Sequence, residues 1–185
     1  MCKGAVRNGF TLLELLTVLA ISSLLMGIAI PKTTQVYQRS IAQNQITQLR
    51  QILNYTRNQA IIYHTPTTLC PLTIEQKCGN NWNDELTVFQ DRNNNSILED
   101  GENILFILPK NENSNGHRTY NNSRINFNEK GFAGFDAGSL SYCHTGQQTY
   151  GVCFTISRIG RVRTGLDANN DGLPETPNGR NIPCS

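Results

Sequence analysis

Apolar and polar positions divide the chain into three stretches. Residues 10–30 read FTLLELLTVLAISSLLMGIAI, an apolar run broken by one charge, Glu14. A helix of that length rises about 31 Å, roughly the hydrocarbon thickness of a bilayer. The run therefore predicts a membrane-spanning helix over 10–31. Beyond it, Ile46, Leu49, Leu53 and Ala60 recur at helical spacings among polar residues. This predicts an amphipathic continuation over 32–63 that lays its apolar stripe on a globular domain. Pro31 removes a helical donor and predicts a kink rather than an end. His64-Thr65-Pro66 predicts the stop, because the residue before a proline avoids helical geometry.

Past residue 64 the pattern changes to short β-prone runs punctuated by Gly, Asn and Pro. Strands are predicted at 67–69, 86–90, 104–108, 124–128, 139–143 and 150–157, with another at 160–164. The run Asn126-Phe127-Asn128, followed by Glu129-Lys130-Gly131, suggests a hairpin. Such spacing predicts an α+β fold, antiparallel sheets packed on the long helix. Residues 166–185 are rich in Asn, Asp, Gly and Pro and predict irregular chain.

Charge placement gives the apolar run a direction. Lys3 and Arg7 precede it, which predicts a cytoplasmic start and an outward-facing remainder, although Lys32 just beyond the run opposes this. A secretory signal would have a shorter apolar core followed by a small-residue cleavage site, and neither is present. Charged residues are only 16% of the chain, which suits an exported β-rich domain. The chain has 16 basic and 14 acidic residues; without Lys3 and Arg7 the two counts are equal. Their distribution is uneven. Residues 32–63 hold four basic residues and no acid, 64–102 two basic and seven acidic, and 103–164 seven basic and three acidic. A positive face on a nearly neutral protein follows.

Cysteines point to the same compartment. Cys2 lies near the start; Cys70, Cys78, Cys143, Cys153 and Cys184 remain. In a small exported domain disulfides are expected. Short loops favour Cys70–Cys78 and Cys143–Cys153, leaving Cys184 odd, although spacing alone does not fix connectivity. No CxxC pair or histidine cluster supports zinc.

Glu14 is the exception inside the apolar run. A carboxylate in lipid requires a partner, and its own segment supplies none. The stretch MCKGAVRNG followed by FTLLELL resembles a type IV prepilin leader and its processing site. The resemblance implies a leader over 1–9, cleaved by a prepilin peptidase after Gly9, with N-methylation of Phe10. It also implies that Glu14 meets the N-terminal amine of a neighbouring pilin subunit during assembly. Pro31 stands where many pilins end their spanning portion. Residues 64–185 then form a periplasmic domain on a single-pass inner-membrane anchor, incorporated into a pilus at the cell surface. Further likeness runs through Trp82-x-x-Glu85-Leu86-x-Val88-Phe89-x-Asp91, an Asn-rich turn, an Ile-Leu strand and the late Asn128-x-Lys130-Gly131-Phe132 turn. These features resemble the FimT and GspH branch of pilin-like proteins, a minor pilin and a type II secretion pseudopilin.

The densest basic segment is Arg158-Ile159-Gly160-Arg161-Val162-Arg163. On a strand, Arg161 and Arg163 project to one face. Guanidinium groups bridge phosphate oxygens in pairs, and Gly160 permits a bend or close approach. A charged edge strand also guards against aggregation. The resemblance adds that FimT-like minor pilins act in natural transformation and that a Gly-Arg-x-Arg motif is associated with DNA binding. Arg158, Arg180 and Lys130 are further candidates, the last two dependent on folding. The expected mode is phosphate-dominated and indifferent to sequence. Phe154 is the one aromatic read beside the arginines, so duplex is expected to bind as well as single strands. A GspH-like pseudopilin, without DNA binding, is the alternative.

Two loops have calcium-like spacing. Asp91, Asn93, Asn95, Ile97, Glu99 and Glu102 fall at EF-hand positions, but Ser96 stands where glycine is wanted. Asp167, Asn169, Asp171, Gly172 and Glu175 begin a second, which has Asn178 in its last position. Asp and Asn also cap turns through their own backbone. Neither loop has two flanking helices, and no metal or other cofactor is expected. Catalysis is not expected either: His144 follows Cys143, but that thiol is expected in a disulfide, His64 borders the helix stop, His117 lies in an Asn-Gly loop, and there is no GxSxG, HExxH or phosphate-binding glycine loop.

Overall fold

The computed structural model describes residues 11–110, 115–145, 149–169, 173–176, 179–182 and 184, without the side chains of 27–32 and 35. Gly9 and Phe10 lie outside the described residues. The chain divides into two compact units, Met1–Gln38 and Arg39–Ser185.

One helix, α1, spans Leu12–Tyr63. Thr11 caps it, its Oγ1 accepting the Glu14 N–H at 3.2 Å, and a carboxylate in the first turn suits the positive helix end. The helix continues through Pro31. It stops as expected, with His64 in the left-handed region (φ +48°) and Thr65 N–H donating to the Ala60 carbonyl. In the first unit the side chains of Leu12, Leu13, Leu15, Leu16, Val18, Leu19, Ile21, Leu24, Leu25 and Met26 are exposed. Among the described residues no helix is long and apolar enough to cross a membrane.

The second unit holds two antiparallel sheets. The first has the order β3-β2-β1-β5, from β1 (Thr67–Pro71), β2 (Leu86–Gln90), β3 (Ile104–Leu108) and β5 (Ile125–Phe127). The second has the order β4-β6-β7-β8, from β4 (Gly116–Thr119), β6 (Gly138–His144), β7 (Tyr150–Ile156) and β8 (Val162–Thr164). Leu49, Ile52, Leu53 and Ala60 of α1 join Leu69, Val88, Phe127, Tyr142 and Phe154 of the strands in one core. The predicted stripe is therefore the buried face. Trp82 is also buried, its indole N–H donating to the Asn122 carbonyl at 2.9 Å.

β4 contradicts the sequence pattern, which predicts a loop at His117. Gly-His-Arg-Thr carries no apolar signal, yet its residues alternate buried and exposed as it pairs with β6. Arg118 is the inward side chain, only 2% exposed. Its Nη2 donates to Gln45 Oε1 at 3.0 Å, while Nε and Nη1 find no partner among the described residues. Burial pushes its pKa down. An uncompensated buried cation is costly, and replacing such groups with apolar ones is often neutral or stabilising by about 1–4 kcal/mol. Arg118→Met is therefore expected to leave the thermal midpoint unchanged or raise it; scanning calorimetry checks this.

The disulfides depart from expectation in one pair. Cys70 bonds Cys78. Cys143 bonds Cys184, with Cα atoms 5.4 Å apart, and Cys153 keeps a buried free thiol. The expected Cys143–Cys153 bond fails on register. Cys143 stands opposite Gly151, and Cys153 opposite Ser141. Diagonal neighbours in a ladder lie about 7–8 Å apart, beyond ordinary disulfide reach.

Candidate nucleic-acid interface

The β7–β8 hairpin carries the basic segment at the edge of the second sheet. Gly160 N–H donates to the Ser157 carbonyl at 2.8 Å, and Ser157 N–H to the Arg161 carbonyl at 3.0 Å. Ser157 Oγ also accepts the Arg161 N–H at 3.0 Å. Gly160 takes φ +76°, the left-handed residue such a turn needs. Val162 packs partly buried on the core. Arg161 and Arg163 flank it and so project from the other face. Both are exposed, as is Arg158 at the turn.

A second turn, following β5, lies directly against the hairpin. Asn128 Oδ1 accepts the N–H groups of Lys130 and Phe132, and Gly131 N–H donates to the Asn128 carbonyl. A Cβ added to Gly160 would overlap the Gly131 carbonyl oxygen and stand 2.9 Å from Arg57 Nε. Arg57 Nε donates to that same carbonyl at 3.1 Å. The motif's glycine is thus a seat for backbone contact, roofed by a helix arginine. Lys130, expected only if folding allowed, is exposed on this adjoining turn.

Sequence reasoning missed Arg50 and Arg57. Arg50 Nη2 donates to Thr164 Oγ1 at 2.9 Å, and its Cζ lies 5.7 Å from the Phe154 ring centroid. The available signal was their seven-residue separation beside the buried stripe, which puts both on one flank of α1. Among the described residues none of Arg50, Arg57, Lys130, Arg158, Arg161 or Arg163 is in a salt bridge; the four ion pairs lie elsewhere. Phe154 is fully buried, so it offers no face to a base. Arg180 is exposed beside Gly179, which lines a groove of about 600 Å³ with Arg163, Thr164, Glu175 and Thr176. Glu175 already accepts the N–H groups of Ala168 and Asn169.

The calcium-like loop between β2 and β3 satisfies itself. Asp91, fully buried, accepts Thr68 Oγ1–H and the N–H groups of Asn95 and Ser96. Glu102 accepts the N–H groups of Arg92 and Glu99. The side-chain amides of Asn93 and Asn95 donate to Glu99. Arg124 supplies the local cation, its Nη1 3.8 Å from Asp91 Oδ2 and bonded to Ser96 Oγ, its Nε 3.1 Å from Asp136. Among the described residues no group of three or more His, Cys, Asp or Glu side chains is placed to hold a metal ion. Of the second loop, Asp171, Gly172 and Asn178 lie outside the described residues.

The first sheet offers a different surface. β3 is an edge strand whose Ile104, Phe106 and Ile107 are nearly half exposed. Beside it a groove of about 430 Å³ runs between α1 and the strand, lined by Ile52, Tyr55, Phe106 and Leu108.

Residues 45–160 match the family described as type II transport protein GspH, and residues 5–30 match the prokaryotic N-terminal methylation motif. No curated protein matches significantly. Two crystal structures of the type IV minor pilin FimU from Pseudomonas aeruginosa PAO1 are similar. One covers 67% of this chain and 92% of that one, at 16% identity and a TM-score of 0.49. The other covers 69% and 90%, at 14% identity and a TM-score of 0.48.

Proposed function

This chain belongs to the GspH family of type II transport proteins, and from that premise we propose that it is a minor pilin whose domain binds DNA through the β7–β8 hairpin. A minor pilin or pseudopilin is a structural subunit. Its partners include other pilin subunits and the prepilin peptidase that the methylation motif implies. In the proposed reading the peptidase cuts between Gly9 and Phe10, and Glu14 meets the amine of a neighbouring subunit. The apolar first part of the chain anchors it in the inner membrane, and the domain works in the periplasm during DNA uptake in natural transformation.

One observation carries the DNA reading. Arg158, Arg161 and Arg163 stand exposed and without a carboxylate partner among the described residues, on the turn and outer strand of an edge hairpin whose Gly160 packs against the Gly131 carbonyl. Guanidinium groups placed this way suit phosphate oxygens. Binding is expected to weaken as salt rises, because each neutralised phosphate releases a counterion. The test is a gel shift with the full-length chain in non-ionic detergent, over a series of salt concentrations. Arg161→Ala with Arg163→Ala should lower the salt slope by about 2 and weaken binding roughly fiftyfold near 0.1 M salt. Retention of DNA by this double variant, with an unchanged slope, would remove the assignment.

The exposed β3 edge supports a second reading, a GspH-like pseudopilin whose domain docks on other subunits. An edge strand with exposed apolar side chains is suited to adding a strand from another protein. If the wild-type chain ignores DNA at low salt, this reading replaces the first.

A further inference from the structure

The hairpin shares its Arg158 carbonyl with the neighbouring turn. That oxygen accepts the N–H groups of Ala133 and Gly134, both at 3.0 Å. The two bonds hold the backbone between Phe132 and Phe135 against that of Arg158. Phe132 is 45% exposed, Phe135 96%, and Ile159 at the hairpin tip 56%. Phe135 is not on a loose loop. It sits in a 3-10 turn, Gly134–Asp136, closed by Asp136 N–H donating to the Ala133 carbonyl at 2.9 Å. The Asp136 carboxylate is held by Arg124, and its carbonyl accepts the Tyr120 hydroxyl. The turn is therefore fixed by three separate bonds while its phenyl ring stands in water.

Charge decides what such rings suit. Lys130 and Arg158 adjoin them, and Arg161 follows on the hairpin. Of the carboxylates on the two turns, Asp136 is paired and Glu129 is exposed. Aromatic faces beside cations fit a polyanion that presents flat rings, since bases stack on the aromatics while phosphates meet the cations. In a duplex the base faces are already covered by their neighbours. We infer that Phe132 and Phe135 form a base-stacking platform, so that this site takes single-stranded nucleic acid in preference to duplex. This rests on the DNA-binding reading and departs from the equal binding of duplex and single strands that the sequence predicts.

The test measures fluorescence anisotropy of the full-length chain in detergent with labelled oligo(dT) of about 20 nucleotides and a duplex of equal length. Wild type should bind the single strand more tightly. Phe132→Ala with Phe135→Ala should weaken single-strand binding roughly five- to hundredfold and leave duplex binding nearly unchanged. Phe135→Trp should retain single-strand binding, whereas Phe135→Leu, apolar but without a π face, should behave like alanine. Arg161→Ala with Arg163→Ala should weaken both substrates. Equal affinity of wild type for both, or a single-strand affinity indifferent to the phenylalanines, overturns the platform and leaves the phosphate site standing. Failure of the double phenylalanine variant to enter pili, with DNA binding intact, also overturns it and assigns the rings to a subunit contact. Absence of binding to either DNA removes the platform together with the reading beneath it.

Discussion

Gly160→Ala is expected to lower stability by about 2–5 kcal/mol, a fall of roughly 5–15 °C in thermal midpoint for a chain of this size. Two costs add. The residue holds φ +76°, where a side chain costs about 1–2 kcal/mol. The new methyl would also meet the Gly131 carbonyl oxygen and Arg57 Nε, and forcing atoms into a packed site costs about 1–3 kcal/mol more. Neither obstacle is the far end of a side chain that can swing away without loss. Moving the Gly131 carbonyl breaks its bond from Arg57. Gly101 supplies the control: it has φ +93° but nothing within 4 Å of an added Cβ. Gly101→Ala should therefore show the backbone cost alone. Thermal unfolding of the three proteins separates the terms. DNA affinity should fall in Gly160→Ala although every arginine remains, because Arg161 and Arg163 lose their common seat.

Contacts local in sequence were legible in advance. The stripe of Leu49, Leu53 and Ala60 named the buried face of α1, since helical period alone places those side chains together. β2 and β3 were found where their apolar runs lie. β4 was not, because Gly-His-Arg-Thr owes its conformation to pairing with β6 rather than to its own composition. Arg161 and Arg163 were visible as a motif because two residues on one strand need no tertiary knowledge to share a face. Arg50, Arg57, Phe132 and Phe135 were not tied to it. They come from a helix and a turn that meet the hairpin through Thr164, Gly131 and the Arg158 carbonyl. Each link joins residues far apart in the chain and leaves no local period to read. The same limit separated Asp91 from Arg124, 33 positions on, whose cation suits the loop that otherwise looked like a calcium site.

Cys184→Ser is expected to cost roughly 4 kcal/mol, whereas Cys153→Ala should cost about 1 kcal/mol. The bond from Cys143 to Cys184 closes a separation of 41 residues, and constraint of the unfolded chain grows with the loop closed. Cys70 and Cys78 are 8 apart, so their loss should cost less, roughly 2.5 kcal/mol. Cys153 bonds to nothing covalently, and burial pushes its thiol pKa up, away from the reactive thiolate. Alkylation of the denatured, unreduced protein should therefore mark Cys153 and neither Cys143 nor Cys184. Label on Cys184 instead would reinstate the pairing first expected. The larger loss has a structural consequence beyond stability. Ile182, Leu173 and Cys184 pack with Cys143 and Cys153, and the chain between them supplies Glu175, Thr176 and Gly179 to the groove beside Arg163. Cutting the bond frees that wall, so Cys184→Ser should change DNA affinity where Cys153→Ala does not. An effect of the tether on binding, with every cationic side chain retained, would distinguish a shaped groove from a bare cluster of charge.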